Sequence, residues 1–186
     1  MEKRDLIIEA SIQVFTEKGI EKTKISDIAK AASIGQGTFY LYFPSKLAVM
    51  PAIAEVMVAK IEAGLKTLQL QGSLSQQLTQ IIDVFFEITK QNKETFTLIY
   101  AGLTQTQHVQ EWENMYEPIY SWFHHFLERV IETKTIKIEH LSKMLVGLIE
   151  STAEQVYLYD KEERENELER KRSLVLFLEA GITKHS

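Results

Sequence analysis

Hydroxyl and aromatic side chains are concentrated between Thr38 and Phe43, and they are the groups of this chain best suited to bind another molecule. Phe39, Tyr40, Tyr42 and Phe43 stand within five residues. Because a helix this short cannot bury every ring, we expect Phe39 and Phe43, four residues apart, to pack inward together. The hydroxyls of Thr38, Tyr40 and Tyr42 then point outward. Such hydroxyls, with nearby lysines, can hold phosphate oxygens while the start of the helix reaches base edges.

A helix and a turn precede this segment and must position it. The helix is predicted from apolar residues at three-and-four spacing, with Thr23 or Ser26 as its cap: Ile25, Ile28, Ala29 and Ala32. Ser33-Ile34-Gly35 interrupts this pattern. The second helix ends before Pro44, because proline disfavours helical geometry in the residue before it, and Ser45 can cap the helix that follows. The pattern is typical of a helix-turn-helix.

This stretch, Thr23 to Lys46, resembles the DNA-binding domain of the TetR family of bacterial transcription regulators. The residues shared in that family's register are Ile28-Ala29, Ala32, Gly37-Thr38, Tyr40, Tyr42-Phe43 and Ser45-Lys46. The chain departs twice, with Ser33 where glycine is usual and Gly35 where serine is usual. A serine at the left-handed turn position costs about 1 kcal/mol. The resemblance is close over residues 5–50, and beyond them it extends only to length and helical character.

The resemblance implies a role for each polar residue of the two helices. Gln36 and Tyr40 are expected at base edges, where an amide suits adenine and a tyrosine ring suits the thymine methyl group. Lysines and hydroxyls are expected at phosphates, and Ser26 could serve either way. The predicted DNA contacts are Lys24, Ser26, Gln36, Gly37, Thr38, Tyr40, Tyr42 and Lys46.

The charge distribution sets conditions on DNA binding. The net charge is −5, but residues 1–50 hold 7 Lys and Arg against 6 Asp and Glu, so the acidity lies in the remainder. Binding must therefore depend on the local placement of Lys3, Arg4, Lys24 and Lys46, and it should be strongly salt-dependent. The weak positive charge leaves an alternative open, in which the protein is a co-activator or assembly factor that binds a protein partner.

The fold class predicted for the whole chain is all-α, with about nine helices. Residues 5–18 form an amphipathic helix with Gly19 as a left-handed cap, and this helix completes a three-helix domain over residues 1–46. A long helix from Ser45 to about Leu70 should bend near Lys46–Leu47 because of Pro51. Residues 47–186 make a larger effector-binding and dimerisation domain, with further helices at 73–88, 93–103, 111–132, 138–159 and 166–182.

Aromatic residues are denser in the middle of the chain than one buried face of each helix requires. Members of the family place an effector cavity among these middle helices, so the resemblance implies a small hydrophobic or aromatic effector. Ordinary core packing explains about half of these rings, and periodicity does not separate the two uses. The predicted ligand-binding set is Phe85, Phe86, Phe96, Tyr100, Trp112, Tyr116, Tyr120 and Phe123.

The last two predicted helices carry apolar stripes broader than one covering contact needs, and Gly147 and Ser151 would let two copies approach closely. A four-helix bundle between two chains would use both stripes, as this family usually does, and would place two reading helices on a palindromic operator. In the alternative, both helices close the core of a single chain. The predicted interface is Leu141, Leu145, Leu148, Ser151, Thr152, Val175, Phe177 and Leu178.

Other classes of function find little support in the sequence. There is no cysteine, no leader and no apolar run of membrane-spanning length, so we expect a cytoplasmic protein without membrane contact. His124 and His125 are adjacent and point about 100° apart on a helix, so they cannot share one metal ion. We find no catalytic motif and expect no enzyme activity, cofactor or metal.

Overall fold

A computed structural model describes residues 2–103, 113–131, 136–159 and 163–183. Within these ranges the chain forms helices and no strand, which confirms the all-α prediction. A 3-10 turn, Leu47–Val49, leads into the fourth helix, and a π-helical turn, Gln155–Tyr159, follows the eighth. The α-helices are α1 (Lys3–Lys18), α2 (Ile25–Ala31), α3 (Gln36–Tyr42), α4 (Met50–Lys66), α5 (Leu74–Gln91), α6 (Lys93–Leu103), α7 (Glu117–Val130), α8 (Ile138–Glu154) and α9 (Glu163–Thr183).

The chain divides into two compact units. The first comprises Met1–Met57 and Glu94–Asn114, and the second comprises Val58–Lys93 and Met115–Ser186. The division therefore falls inside α4. The domain boundary predicted between residues 46 and 47 stays a prediction, since compactness alone does not define where a domain folds independently.

In the first unit, α3 is held by two aromatic rings. Phe39 and Phe43 are both buried, and their ring centroids are 5.9 Å apart. Burying a phenylalanine stabilises a fold by about 1.5–3 kcal/mol, so these two rings fix which face of α3 remains outside. The helices α1 and α2 add to this core with Ile7, Ile8, Ala10, Val14, Phe15, Ile28 and Ala29.

The turn between α2 and α3 has the strained position that the sequence predicts. Ser33 adopts a φ of 54°, in the left-handed region. Behind it, the Ile34 N–H donates to the Ala29 carbonyl at 2.9 Å, which closes the C-terminus of α2. Gly35 has an extended backbone with a φ of −77°, so its conformation does not require glycine.

The helix caps of the predicted three-helix domain, residues 1–46, differ in part from those predicted. Neither Thr23 nor Ser26 caps α2, because the Asp27 carboxylate accepts the Lys24 N–H at 3.0 Å and the buried Thr23 hydroxyl donates to the Gly19 carbonyl at 2.8 Å. Gly19 has the predicted positive φ of 78°, but its ψ of 152° lies outside the left-handed helical region. The Ser45 cap is confirmed, since the Ser45 hydroxyl oxygen accepts the Ala48 N–H at 3.2 Å.

Both prolines within predicted helices begin a helix instead of bending one. The prediction of one helix from Ser45 with a bend near Lys46–Leu47 is wrong: the 3-10 turn Leu47–Val49 comes first, and Pro51 is the second residue of α4. Pro118 is likewise the second residue of α7. The first turn of a helix is where proline is tolerated, because the N–H that it lacks has no partner within the helix.

The second unit packs α5, α7, α8 and α9 around one apolar core. Ser73 caps α5 as predicted: its hydroxyl accepts the Gln76 N–H at 3.3 Å, and the Gln76 amide oxygen accepts the Ser73 N–H at 2.9 Å. Lys171 on α9 pairs with Asp83 on α5 at 3.0 Å and with Glu167 at 3.0 Å. The large core side chains include Leu78, Ile81, Ile82, Phe85, Phe86, Ile119, Phe123, Phe126, Ile149 and Val156.

Candidate functional sites

The outer face of α3 carries the side chains predicted to contact DNA. Tyr40 is 54% exposed and Tyr42 is 44% exposed, while Phe39 between them in the chain is buried. Gln36 and Gly37 are exposed in the first turn, and Thr38 is partly exposed. The predicted split between inward rings and outward hydroxyls is confirmed, so α3 presents a surface of amide, hydroxyl and ring groups.

Leu41 lies on the same surface and is 82% exposed. Nothing in the helical periodicity singles it out, because the neighbouring aromatic residues already define both faces of α3. The length of the helix is the signal that could have predicted its exposure. A seven-residue helix can bury few side chains, and Phe39 already fills the inward position.

Lys46 takes a different role from the predicted phosphate contact. Its ammonium group donates to three backbone carbonyls, those of Ile20 at 2.6 Å, Glu21 at 3.1 Å and Thr23 at 3.0 Å. An ammonium group has three N–H donors, so this geometry leaves none for a phosphate. Lys46 therefore links the segment before α2 to the segment after α3, and it is not one of the proposed phosphate contacts.

Two of the basic residues near α3 form ion pairs with acidic residues of the same chain. Arg4 pairs with Glu55 at 2.9 Å and lies over the Phe43 ring, 5.8 Å from its centroid. Lys18 pairs with Asp27 at 2.9 Å. Hydrogen bonding from the Lys24 N–H, together with the Lys18 ammonium, lowers the pKa of Asp27. Lys24 itself lies exposed before α2 and stays in the predicted phosphate set, while Ser26, exposed in the first turn of α2, stays a predicted contact to either a base or a phosphate.

The predicted ligand-binding residues of the second unit fall into two groups. Phe85 and Phe123 are fully buried and their ring centroids are 6.1 Å apart, while the equally buried Phe86 packs edge-on against Tyr157. These three phenylalanines therefore serve as core in this conformation. Phe96 and Tyr100 lie on α6 in the first unit, and Trp112 is outside the described residues.

Tyr116 and Tyr120 form the second group, and they are partly exposed. Their rings stack with centroids 5.9 Å apart. Tyr120 borders an open cavity of about 360 Å³ between α7 and α8, and its other lining residues are Glu117, Ser121, His124, Glu139, Ser142 and Lys143. The Lys143 ammonium lies 4.9 Å from the centroid of the Tyr120 ring.

Tyr116 also bonds to a carboxyl group on α8 whose pKa is raised. The Tyr116 hydroxyl donates to the Glu150 carboxylate at 2.6 Å. The pKa of Glu150 is raised to about 7: removal from water is the largest cause, the Tyr116 hydrogen bond opposes it, and the negative charge of Glu154 adds to it. Glu154, one helical turn later on α8, is buried. This part of the unit therefore holds a carboxyl group poised between its charged and neutral forms near neutral pH.

The predicted dimer residues divide between the core and the surface. Leu145, Val175 and Leu178 are buried within their own unit, so their apolar character is explained without a second chain. Ser151 is exposed, Leu141 and Thr152 are partly exposed, and Leu148 and Phe177 are exposed, with Phe177 at 67%. Met144 and Leu176 are further exposed apolar residues of the same two helices, although the sequence analysis did not include them in the predicted interface. A Cβ on Gly147 would meet no described atom within 4 Å.

Two further properties concern the described residues only. No helix among them is long and apolar enough to cross a membrane. No three of their His, Cys, Asp and Glu side chains cluster as the ligands of a metal ion would. His108 and His185 lie outside the described ranges.

Comparison with known proteins decides the family. Residues 7–53 match the model of the bacterial regulatory proteins of the tetR family, and residues 78–182 match the model of the tetracyclin repressor-like C-terminal domain. The chain belongs to the TetR family. YvdT of Bacillus subtilis, an uncharacterized HTH-type transcriptional regulator, is 36% identical over 97% of this chain and 95% of its own. DNA binding by the α2–α3 pair and a role in transcription follow from membership of this TetR family.

Solved TetR-family structures share the fold along almost the whole chain. GusR of Salmonella enterica matches with a TM-score of 0.75 at 20% identity, over 97% of this chain and 95% of that one. FadR of Thermus thermophilus, a TetR-family repressor solved in complex with lauroyl-CoA, matches with a TM-score of 0.67 at 23% identity, over 93% of both chains. At these identities the similarity establishes the shared fold.

Proposed function

We propose that this protein is a homodimeric repressor that binds a palindromic operator and releases it when a small hydrophobic or aromatic molecule binds the C-terminal domain. The observation that carries the proposal is the outer face of α3, where Gln36, Tyr40 and Tyr42 extend from a helix fixed by Phe39 and Phe43. These groups match the contacts that a recognition helix makes in the major groove.

On this proposal, Gln36 and Tyr40 contact base edges, whereas Lys24, Ser26, Thr38 and Tyr42 contact phosphates. Exposed hydroxyls and an exposed ammonium suit phosphate oxygens, and these contacts set the register of the protein on the duplex without reading sequence. Lys46 supports them indirectly, because it holds the chain on both sides of the helix-turn-helix.

An effector site in the second unit is supported by Tyr116, Tyr120 and the half-buried Glu150. Apolar rings beside a few convergent polar groups are the usual composition of a small-molecule site. Thermus thermophilus FadR, solved in complex with lauroyl-CoA, is a precedent for a ligand with an apolar acyl chain on the same fold. Release of the operator requires that the effector bind one arrangement of the chain better than the other, and α4, which belongs to both units, is the proposed route of this coupling.

Dimerisation is supported by the exposed apolar side chains of α8 and α9. Met144, Leu148, Leu176 and Phe177 are exposed in the single chain, and large apolar side chains gathered at a surface are typical of an interface. A twofold interface there would place two copies of α3 on the half-sites of a palindrome.

Selection of bound duplexes from a random pool tests the operator-binding part of this proposal. Wild-type protein is expected to enrich a motif with twofold symmetry. Gln36→Ala should relax one base pair in each half-site, since a good base contact is worth about 1–3 kcal/mol. Gln13→Ala is the matched control, because Gln13 is an exposed glutamine on α1 whose amide bonds Glu17.

The alternative, a co-activator or assembly factor that binds a protein partner, predicts a different outcome. In that case wild-type protein enriches no motif, and any binding to duplex is equal for all sequences. An unchanged motif with Gln36→Ala would instead leave the operator in place and remove the glutamine from base reading.

A further inference from the structure

The residues that face directly away from the core of α3 are Gly37 and Leu41. Successive helical residues are turned by about 100°, so residues two before and two after Phe39 each point about 160° away from it. Phe39 is fully buried. Gly37 and Leu41 are therefore one helical turn apart at the outermost line of the helix, with Gln36, Tyr40, Thr38 and Tyr42 turned toward its sides.

Neither of these two residues is explained by the packing of the protein itself. Leu41, at 82%, is the most exposed large apolar side chain among the described residues. A Cβ on Gly37 would meet no described atom within 4 Å, and Gly37 has no positive φ that would require glycine. Glycine is also a poorer helix former than alanine, by up to about 1 kcal/mol in a helix interior and less in the first turn, where Gly37 lies. The exposure of Leu41 and the glycine at position 37 therefore point to contact with another molecule.

We propose that Leu41 contacts the C5-methyl group of a thymine in the major groove and that Gly37 lets α3 approach the bases closely enough for this contact. The inference rests on the proposed function, in which α3 enters the groove. A leucine side chain has no hydrogen-bonding group, so the only base feature that it can select there is the thymine methyl group, which is absent from the other three bases.

The hydroxyl and amide groups around Leu41 favour DNA over a protein as its occupant. Tyr40 and Tyr42 flank it with exposed hydroxyls, and the surface continues to the exposed Gln36 and the helix start. Leu41 thus lies inside the surface through which this family binds DNA, not on a separate apolar patch. Leu41 would add an apolar base contact at the centre of an interface whose surrounding contacts are polar.

Deoxyuridine substitution tests the contact, because it removes one methyl group and changes nothing else on the groove edge. Each thymine of the selected operator is replaced singly, and affinity is measured for wild type, Leu41→Ala and Leu168→Ala. Leu168 is the matched control, a leucine 76% exposed on α9. For wild type we expect a loss of about fourfold at the Leu41 thymine of each half-site, the effect of exposing one methyl group, besides any loss at a thymine that Tyr40 contacts. Leu168→Ala should show the same loss, and Leu41→Ala should show none at that position.

Two results would overturn the inference while leaving the proposed function in place. The contact does not exist if no thymine is sensitive in wild type, or if Leu41→Ala keeps the same sensitivity at every position. If wild type enriches no duplex at all, the proposed function is wrong and the inference falls with it. Folding is checked by the circular dichroism melting temperature of Leu41→Ala, which should match wild type because alanine is a strong helix former at an exposed position.

Discussion

Replacement of Glu150 by glutamine should stabilise the protein above neutral pH and leave it almost unchanged in mild acid. Burial raises the pKa of Glu150 from 4.5 to about 7. A folded-state pKa above the unfolded one means that the folded protein binds the proton more tightly, so stability falls as pH rises from about 4.5 to 7 and is level above that. The shift of about 2.5 pKa units corresponds to roughly 3 kcal/mol at 1.36 kcal/mol for each unit.

The glutamine variant removes this penalty without removing the hydrogen bond, because the amide oxygen of glutamine can still accept the Tyr116 hydroxyl. We therefore expect the free energy of unfolding of Glu150→Gln to exceed that of wild type by up to about 3 kcal/mol at pH 8, and by less than about 1 kcal/mol at pH 5. The control is Glu139→Gln, an exposed carboxylate in the first turn of the same helix.

Urea unfolding at pH 5 and at pH 8 measures the free energy of unfolding of each protein. One fixed protein concentration is used, so that any linkage to dimerisation is the same for each variant. The difference between Glu150→Gln and wild type should grow between the two pH values, while that between Glu139→Gln and wild type should not. A Glu150→Gln protein less stable than wild type at pH 8 would refute the reasoning, since the carboxylate would then be stabilising in its charged form.

Three further predictions concern the reading helix and the dimer. Lys46→Met should lower the free energy of unfolding by about 1.5–3 kcal/mol or more, as expected for lost hydrogen bonds to a charged group, and it should leave the salt slope of operator binding unchanged. Lys24→Met should reduce that slope by about 1.8, because a dimer loses one phosphate contact in each half-site; equal slopes for both variants would contradict these roles. Gly37→Ala should melt at or above the wild-type temperature, because alanine is the better helix former and its Cβ would meet no described atom within 4 Å, yet bind the operator at least about tenfold more weakly; unchanged affinity would mean that no close approach occurs there. Met144→Glu together with Phe177→Glu should sediment as a monomer, because unpaired charge is costly to bury, and a variant still dimeric at the wild-type concentration would exclude this interface.

Local features of the reading helix could be predicted from the sequence because they depend on near neighbours. The inward rings Phe39 and Phe43 follow from a spacing of four residues, and the positive φ of Ser33 follows from a turn position where glycine is usual. The Ser45 and Ser73 caps likewise involve residues only three positions apart. Such interactions are fixed by helical geometry before any tertiary contact forms.

Long-range contacts account for what the sequence could not predict. The role of Lys46 depends on carbonyls 23 to 26 residues earlier in the chain, which no spacing rule connects to it. Periodicity placed Leu145 and Phe177 on apolar faces, but only the packed structure shows that Leu145 is buried in its own chain and Phe177 is not. The pKa of Glu150 similarly depends on Tyr116 and on burial between helices distant in sequence.

The salt dependence of operator affinity tests the central claim most directly. Dissociation constants are measured from 50 to about 200 mM salt for the selected duplex and for a scrambled duplex of the same length and composition. Use of phosphates predicts that the logarithm of affinity falls linearly with the logarithm of salt concentration, by about 0.9 for each phosphate neutralised. Reading of bases by α3 predicts that the selected duplex binds at least about 10³-fold more tightly than the scrambled one. Affinity that is independent of salt, or equal for the two duplexes, would contradict the account.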